Sequence, residues 1–255
     1  MKIGVWVREV IDTEAKIVLS PDGRSVNQTS CKYCINPYDE FAIEEALKLK
    51  DKMENVEVIL LYYGRQKGKD TVIKGLAMGA DKGIQIIDEN YASNLNIAKA
   101  LKKCIEQEGI DLIFTGSETT DEIEQGVNNI LGIVLDMPIC TNVVHFELNE
   151  QVEVSSLLED GRKVVERFNL PGIVAVTKGI NTPRYTALKG IMQAKKKPFL
   201  TYEAETFLQN EKTDNLTVEM ISYIPQRNSE CIFYEGDSAE LSERLVEVLK
   251  EEANK

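Results

Sequence analysis

Residues 56–87 read VEVILLYYGRQKGKDTVIKGLAMGADKGIQII, and this stretch decides the fold class. It opens with a run at 56–62 that is apolar apart from Glu57, continues with an amphipathic segment at 70–78, and closes with a run at 84–87 that is apolar apart from Gln85. The first and last runs are short and rich in β-branched residues, which favours strands, and the middle segment has the spacing of a helix. Apolar strands joined by a helix are typical of a parallel sheet that is covered on both faces.

The same alternation extends through the first 140 residues. Strand or helix patterns occur at residues 2–10, 39–53, 94–107 and 112–115, and a further helix ends near Leu135. We therefore predict an α/β fold with a doubly wound, mostly parallel, Rossmann-like sheet. Ligands of such sheets bind at the carboxyl ends of the strands, near the point where the strand order reverses.

The pattern changes after Pro138. Three β segments at 143–148, 152–158 and 163–168 precede an apolar strand at 172–177, which predicts an antiparallel addition that returns to the core sheet. From residue 199 the chain is polar and irregular until Asp237 and Ser238 begin a last helix with one apolar stripe. We predict an α/β domain at 1–198 and a C-terminal arm at 199–255 that ends in this helix. The apolar stripe of the helix must pack against another surface, and a second chain is one candidate.

Composition excludes several classes of protein. The net charge of −12 argues against nucleic acid as a partner, because phosphate binding needs a basic face. No apolar run approaches the roughly 20 residues that span a bilayer, so we expect no membrane insertion. The first residues, MKIGVWVREVI, read as a strand rather than a signal peptide, and five scattered cysteines suit a reducing compartment. A cytoplasmic location is expected.

Few motifs point to catalysis or to a metal. Cys31 and Cys34 have zinc-like spacing, but there is no second such pair and His145 is the one histidine, so we predict incidental cysteines and no metal site. The glycine fingerprints of dinucleotide and triphosphate sites are absent. The loop at 116–126 follows the fourth core strand, where a ligand would bind, yet its carboxylates would repel a phosphate. Ligand binding at this loop stays open on the residues alone.

A stronger signal lies at residues 180–198. Read conservatively, it is a solvated loop with a run of charges. Leu188, Ile191 and Met192, followed by Lys195 and Lys196, also suit a docking loop. In such a loop an apolar anchor supplies binding energy and the cations steer an acidic partner.

The segment PRYTALKGIMQAKKKP at 183–198 closely resembles the signature of electron-transfer flavoprotein β subunits. Further matches follow in the order of that family: VREVIDT at 7–13, INPYDEFAIEEALKLK at 35–50, LAMGAD at 76–81, IDLIFTG at 110–116 and PQR at 225–227. The resemblance covers almost the whole chain.

This resemblance implies a heterodimer with a larger α subunit that holds most of an FAD. A flavin dehydrogenase would pass electrons to that FAD, so the protein would be a carrier and not an enzyme. The family motif at 36–39 implies that Tyr38, with Asn36 beside it, approaches the flavin. Leu188 matches the anchor for dehydrogenases, with Ile191 and Met192 beside it, and the arm would wrap the α subunit.

The family also implies a nucleotide site in this subunit, which holds AMP or, in members that perform electron bifurcation, a second FAD. Asp121, Gln125 and Gly126 match the character of its phosphate-binding loop. Ile123 and Glu124 depart from it, because the family has an aspartate and a small residue at these positions.

Trp6 and Tyr63 occupy places where the family has small residues near the adenine. Either they fill the adenine pocket and leave it empty, or they stack on a base that is held differently. We expect the first, and hence a single FAD per heterodimer, with AMP or a second FAD in this subunit as the alternatives.

Two other functional classes are alternatives to the electron carrier: a nucleotide-binding or sensing protein, and a hydrolase or ligase of adenylates. A free-standing protein that binds or senses adenine nucleotides would have the same kind of α/β domain, because fold alone does not determine function. Such a monomer would need neither the docking loop nor the arm. A hydrolase or ligase of adenylates would need phosphate-binding glycines and a polarising cation, and neither is evident.

Overall fold

The computed structural model describes residues 1–27, 31–89, 92–121, 126–186, 188–208, 220–223 and 233–253. The strands are β1 (Lys2–Trp6), β2 (Glu9–Ile11), β3 (Tyr33–Ile35), β4 (Glu57–Gly64), β5 (Lys82–Ile87), β6 (Leu112–Gly116), β7 (Ile139–Leu148), β8 (Val152–Leu157), β9 (Lys163–Phe168), β10 (Gly172–Val176) and β11 (Phe199–Glu203). The helices are α1 (Pro37–Lys52), α2 (Lys69–Met78), α3 (Asn94–Glu108), α4 (Gly126–Leu135), α5 (Leu188–Ala194), α6 (Ala204–Leu208) and α7 (Ser238–Ala253).

The main sheet has nine strands in the order β11-β5-β4-β1-β6-β10-β7-β8-β9. The first seven strands in this order run parallel. β8 pairs antiparallel with β7, and β9 pairs antiparallel with β8. The prediction of a mostly parallel sheet with an antiparallel addition is confirmed.

The sheet is covered on both faces. Along β1, Ile3 and Val5 pack with α1 and α2, whereas Trp6 on the opposite face packs with residues of α3. Neighbouring β4 divides in the same way, because side chains of a strand alternate between its two faces. Two hydrophobic layers therefore explain why successive residues in the middle of these strands are apolar.

The first and last helices begin at the predicted local signals. Pro37 is the first residue of α1, where its missing N–H has no intrahelical acceptor to lose. At the other end, Asp237 accepts hydrogen bonds from the backbone N–H groups of Ala239 (2.9 Å) and Glu240 (3.0 Å) and thereby caps α7. The predicted final helix is confirmed.

Three features differ from the expectations. β2 and β3 form a small antiparallel ribbon that we did not predict. The prediction of an irregular chain from residue 199 is wrong for residues 199–208, because β11 pairs parallel with β5, and Phe207 of α6 is buried in the core layer that contains α3. β11 is an edge strand with partly exposed side chains, and such strands have weak apolar patterns. The division at residue 198 stays a prediction.

Substitution of Phe114 in β6 tests how much core packing contributes to the free energy of unfolding. Its side chain is fully buried, and its ring packs edge-to-face on Phe146 with 5.0 Å between the centroids. We expect Phe114→Ala to lower the free energy of unfolding by about 3–5 kcal/mol, through lost burial and the cavity left behind. Urea denaturation measures this change, and Val165→Ala, at a position that is 58% exposed, is the matched control with an effect of about 0.5 kcal/mol or less. Equal midpoints for the two variants would contradict the assignment of the core.

Candidate functional site

A cavity of about 370 Å³ lies at the carboxyl ends of the central strands. β1 lies between β4 and β6, so the strand order reverses here, which is the usual position of a ligand in such sheets. Trp6, Tyr63 and Asp121 all line this cavity. The structure thus brings together three residues that the sequence predicted for a nucleotide site.

Aromatic side chains form much of the cavity wall. The Arg8 guanidinium lies 4.9 Å from the centroid of the Trp6 ring, and the Tyr63 hydroxyl donates a hydrogen bond to Asp88 at 2.7 Å. Trp6 Nε1 is buried and has no hydrogen-bond partner among the residues that the structure describes. Aromatic walls suit a heterocyclic base. That Trp6 and Tyr63 take the place of such a base, rather than stack on it, stays a prediction.

The charges around the cavity are largely paired with one another. Arg8 forms an ion pair with Asp39, and Arg65 forms one with Glu9. Asp121 accepts a hydrogen bond from the backbone N–H of Ile11 at 3.2 Å. Because the two arginines that line the cavity already face carboxylates, its described lining fits an uncharged ring better than a phosphate.

The loop beyond Asp121 is only partly described. Gln125, Ile123 and Glu124 lie outside the described residues. Gly126 begins α4, and the next residue, Val127, lines the cavity. The phosphate-binding role that the resemblance implies for Asp121, Gln125 and Gly126 stays a prediction.

The Asp39 carboxylate joins the elements beneath the cavity. It is fully buried and accepts hydrogen bonds from the Arg8 guanidinium, from the Arg8 backbone N–H (2.7 Å) and from the Gly116 N–H (3.0 Å). A Cβ at residue 116 would lie 2.5 Å from both Asp39 Oδ1 and Tyr38 Cβ, so this close approach requires glycine. Arg8 also donates to the Gly116 carbonyl at 2.7 Å.

Asn36 and Tyr38 stand at the start of α1. Asn36 is buried, and its amide donates to Asp39 (3.0 Å) and to the Glu118 carbonyl (2.8 Å), so its side chain holds the loop after β6. Tyr38 is half-buried, and its hydrogen bond to Glu118 and its burial raise the pKa of its hydroxyl. Tyr38 therefore stays a neutral ring near neutral pH. The contact of either residue with a flavin stays a prediction.

The predicted docking loop is in fact a short helix, α5, held against α2. Leu188 and Met192 are 82% and 73% exposed, and Ile191, Lys195 and Lys196 are also exposed. Residues four apart lie on one helix face, so Leu188 and Met192 form one apolar edge. The docking residues therefore share one surface, and their contact with a partner stays a prediction.

Two side chains fasten the segment before α5 to α1. Arg184 donates to Glu44 through its backbone N–H (2.9 Å), Nε (2.8 Å) and Nη2 (3.0 Å), and Nη2 also donates to Asp51. These bonds raise the pKa of the Arg184 guanidinium, with Glu44 the largest cause. Asn181 donates to the Phe41 carbonyl and to Glu45, both at 2.9 Å.

The other end of the segment is fastened to α2. Lys197 Nζ donates to the carbonyls of Leu76 (2.9 Å) and Ala80 and so caps the end of α2, and burial lowers the pKa of this lysine. A Cβ at Gly190 would lie 2.6 Å from the Ala77 carbonyl oxygen, so glycine allows the close approach of α5. The run of three lysines is thus divided between one helix cap and two exposed charges.

Sequence reasoning missed several of these residues. Tyr185 is 97% exposed beside α5, and it belongs to the quoted motif but was not predicted as a site residue. The pairs Arg8–Asp39 and Arg184–Glu44 join residues 31 and 140 positions apart, which no local pattern can reveal. The one local signal was Arg8 itself, because a charged residue inside an otherwise apolar stretch indicates a buried charge that needs a partner.

Cys31 and Cys34 are free thiols, and burial raises the pKa of Cys34. Among the residues that the structure describes, no group of three or more His, Cys, Asp or Glu side chains could hold a metal ion. Within the same ranges, no helix combines the length and apolar character needed to cross a bilayer.

Comparison with known proteins agrees with the motifs. Residues 25–206 match the family model described as the electron transfer flavoprotein domain. A protein of Bradyrhizobium diazoefficiens named electron transfer flavoprotein subunit beta is 35% identical over 199 residues, which cover 78% of this chain and 80% of the relative. A Bos taurus protein of the same name is 32% identical, with 97% and 96% covered. A mitochondrial form from Arabidopsis thaliana is also 32% identical, with 100% and 99% covered.

Asp39→Asn tests the ion pair beneath the cavity. The substitution keeps the shape of the side chain but removes the charge opposite the buried Arg8, so we expect the free energy of unfolding to fall by about 3–5 kcal/mol. Thermal or urea unfolding measures this change. Asp160→Asn, in an exposed pair with Arg162, is the matched control and should cost less than about 1 kcal/mol. Similar losses for the two variants would show that the buried pair does not support the site.

Proposed function

The chain belongs to the β subunits of electron-transfer flavoproteins, and from this membership we propose that it pairs with an α subunit, which holds most of an FAD. The heterodimer would accept electrons from a flavin dehydrogenase and pass them to a further acceptor. The observation that carries this proposal is the apolar edge of α5, Leu188 and Met192, displayed on a helix that is fastened at both ends. An exposed apolar edge on a firm support is suited to docking.

The α7 helix supports the proposed heterodimer. Leu241, Leu245, Val246 and Leu249 recur at helical spacing and are exposed. A helix with such a stripe gains most of its stability when the stripe is buried. We propose that the arm at 199–255 reaches the α subunit and that α7 packs there.

Tyr38 is the residue of this chain that we propose to lie against the flavin. Its ring is half-buried at the carboxyl edge of the sheet, and its raised pKa keeps it uncharged. The fit of the ring is reasonable, because a neutral aromatic face excludes water from a flavin without adding charge. The FAD itself supplies the redox chemistry, and the role of this chain is to cover it and to bring the dehydrogenase near.

We further propose that the cavity of Trp6 and Tyr63 holds no nucleotide phosphate. Its arginines are engaged with Asp39 and Glu9, and Asp121 adds a negative charge. This favours one FAD per heterodimer over AMP or a second FAD in this subunit. A cytoplasmic location is also part of the proposal, and one of the relatives is named as mitochondrial.

The nucleotide content of the heterodimer tests this proposal. The chain is co-expressed with its α subunit, and every nucleotide released from the pure complex is identified by mass and quantified by absorbance. We expect FAD alone at one per heterodimer. FAD with AMP would mean that Trp6 and Tyr63 stack on an adenine, two FAD would indicate electron bifurcation, and either result would contradict an empty site.

A free-standing protein that binds or senses adenine nucleotides is the second candidate, and the cavity of about 370 Å³ with aromatic walls is the observation that favours it. Such a protein would need no partner for α7 and no dehydrogenase for α5. Absence of both a complex and a flavin in the experiment above would favour this candidate over the carrier.

Leu188→Ala tests the docking anchor. We expect the KM of the dehydrogenase for the heterodimer to rise about 10-fold, which corresponds to about 1.4 kcal/mol of lost binding, with unchanged FAD content. The dehydrogenase is the one that reduces the wild-type flavin fastest among purified acyl-CoA and hydroxy-acid dehydrogenases of the same organism. Val165→Ala removes an exposed side chain from β9, at the far edge of the sheet, and serves as control. Unchanged kinetics in the Leu188 variant would reject the anchor.

A further inference from the structure

A second cavity, of about 480 Å³, runs alongside the docking helix. It lies between α2, α5 and the ribbon of β2 and β3, and we refer to it as the lysine groove. Ile73 and Ala77 of α2 and Ile191 of α5 contribute its apolar lining, and Lys67, Lys74 and Lys195 stand on its rim. The groove therefore combines an apolar floor with three cations.

The charge of the groove is positive on a protein that is otherwise acidic. The three lysines are exposed and make no ion pair or hydrogen bond within the described residues. Of the two carboxylates in the lining, Glu9 is paired with Arg65 and accepts a hydrogen bond from Thr71 at 3.4 Å, which leaves Asp70. Three lysines against one free carboxylate attract anions locally, although the whole chain carries −12.

Two further carboxylates lie near enough to interact electrostatically with Lys74 but form no ion pair with it within the described residues. Asp12 and Glu40 are both influenced by its charge. Asp12 is already paired with Lys32 at 2.9 Å, and the pKa of Glu40 is raised by its burial. Neither carboxylate forms an ion pair with Lys74 within the described residues, so its ammonium remains available at the rim.

The groove is continuous with the docking helix. Ile191 belongs to α5, and Lys195 follows the last residue of α5. A partner that covers Leu188 and Met192 would therefore also lie next to the groove. The groove also shares Glu9 and Tyr33 with the cavity that contains Trp6. Its position is thus set by α2, α5 and the ribbon, and all three are fastened to the core.

We propose that the lysine groove binds an acidic segment with apolar side chains on the same flavin dehydrogenase that docks on Leu188. The apolar part of that segment would lie on Ile73, Ala77 and Ile191, and its carboxylates would face Lys67, Lys74 and Lys195. Lys74 is the central cation, because it stands on α2 between the other two elements. This inference rests on the proposed function and adds to it a second contact surface of defined chemistry.

Lys74→Glu in the FAD-containing heterodimer tests the groove. The reduction of the bound flavin by the dehydrogenase identified above is measured at increasing heterodimer concentrations and at several salt concentrations. We expect the KM for the heterodimer to rise about 3- to 10-fold at low salt with kcat unchanged, and the difference from wild type to shrink as salt screens the charges. Lys74→Gln should give a smaller change in the same direction.

Lys163→Glu is the matched control, because it makes the same change of charge at an exposed position on β9, at the other edge of the sheet. Its KM should stay within 2-fold of wild type, roughly the size of a long-range charge effect. Equal KM values for the Lys74 and Lys163 variants would overturn the groove. Loss of the α subunit or of FAD in Lys74→Glu alone would overturn it too, because the groove would then contact the α subunit.

Wild-type controls separate the two levels of the proposal. If no flavin dehydrogenase reduces the wild-type heterodimer, the carrier function fails and the groove fails with it. If the wild type is reduced and the Lys74 variants behave like it, only the groove fails. The groove could instead join two copies of the heterodimer. Light scattering would then give Lys74→Glu half the mass of the wild type, and its KM would be unchanged. This result would also overturn the proposal.

Discussion

The ion pair between Arg8 and Asp39 is the interaction on which the rest of the site depends. It joins the residue just beyond β1 to the first turn of α1, and the same two side chains bind the backbone of Gly116 at the end of β6. Taking two charges out of water is costly, so the pair is stabilised by the hydrogen bonds that both Asp39 oxygens accept and that Arg8 Nε and Nη2 donate. The carboxyl ends of the central strands are held together by this network.

One helix supports both surfaces that matter for the proposed function. The first turn of α1 carries Tyr38 beside the loop after β6, and its middle carries Glu44 and Glu45, which hold the segment before α5. Side chains on a single rigid helix keep a constant separation. The surface proposed to receive a dehydrogenase and the residue proposed to face the flavin therefore have a defined position relative to one another.

Much of the fold was predictable because its signals are local. Apolar runs such as 56–62 and the helix start at Pro37 can be recognised from a few adjacent residues. The predicted parallel core follows from the alternation of such strands with helices. The ribbon, β11 and α6 were not predicted, because short elements at an edge have little periodicity. Trp6, Tyr63 and Asp121 were predicted for one site, and the structure places them around one cavity.

The sequence by itself determined the family and the sheet that is covered on both faces, and it identified the residues that we propose for docking, because each depends on patterns or motifs of adjacent residues. Only the tertiary structure decided which charges are buried, which lysine of three caps α2, and that a cationic groove lies beside α5. These properties depend on pairs such as Arg184 and Glu44 that are far apart in the chain. The pairing of charges that are far apart in the chain is set by the packing of whole elements, and no local sequence pattern encodes it.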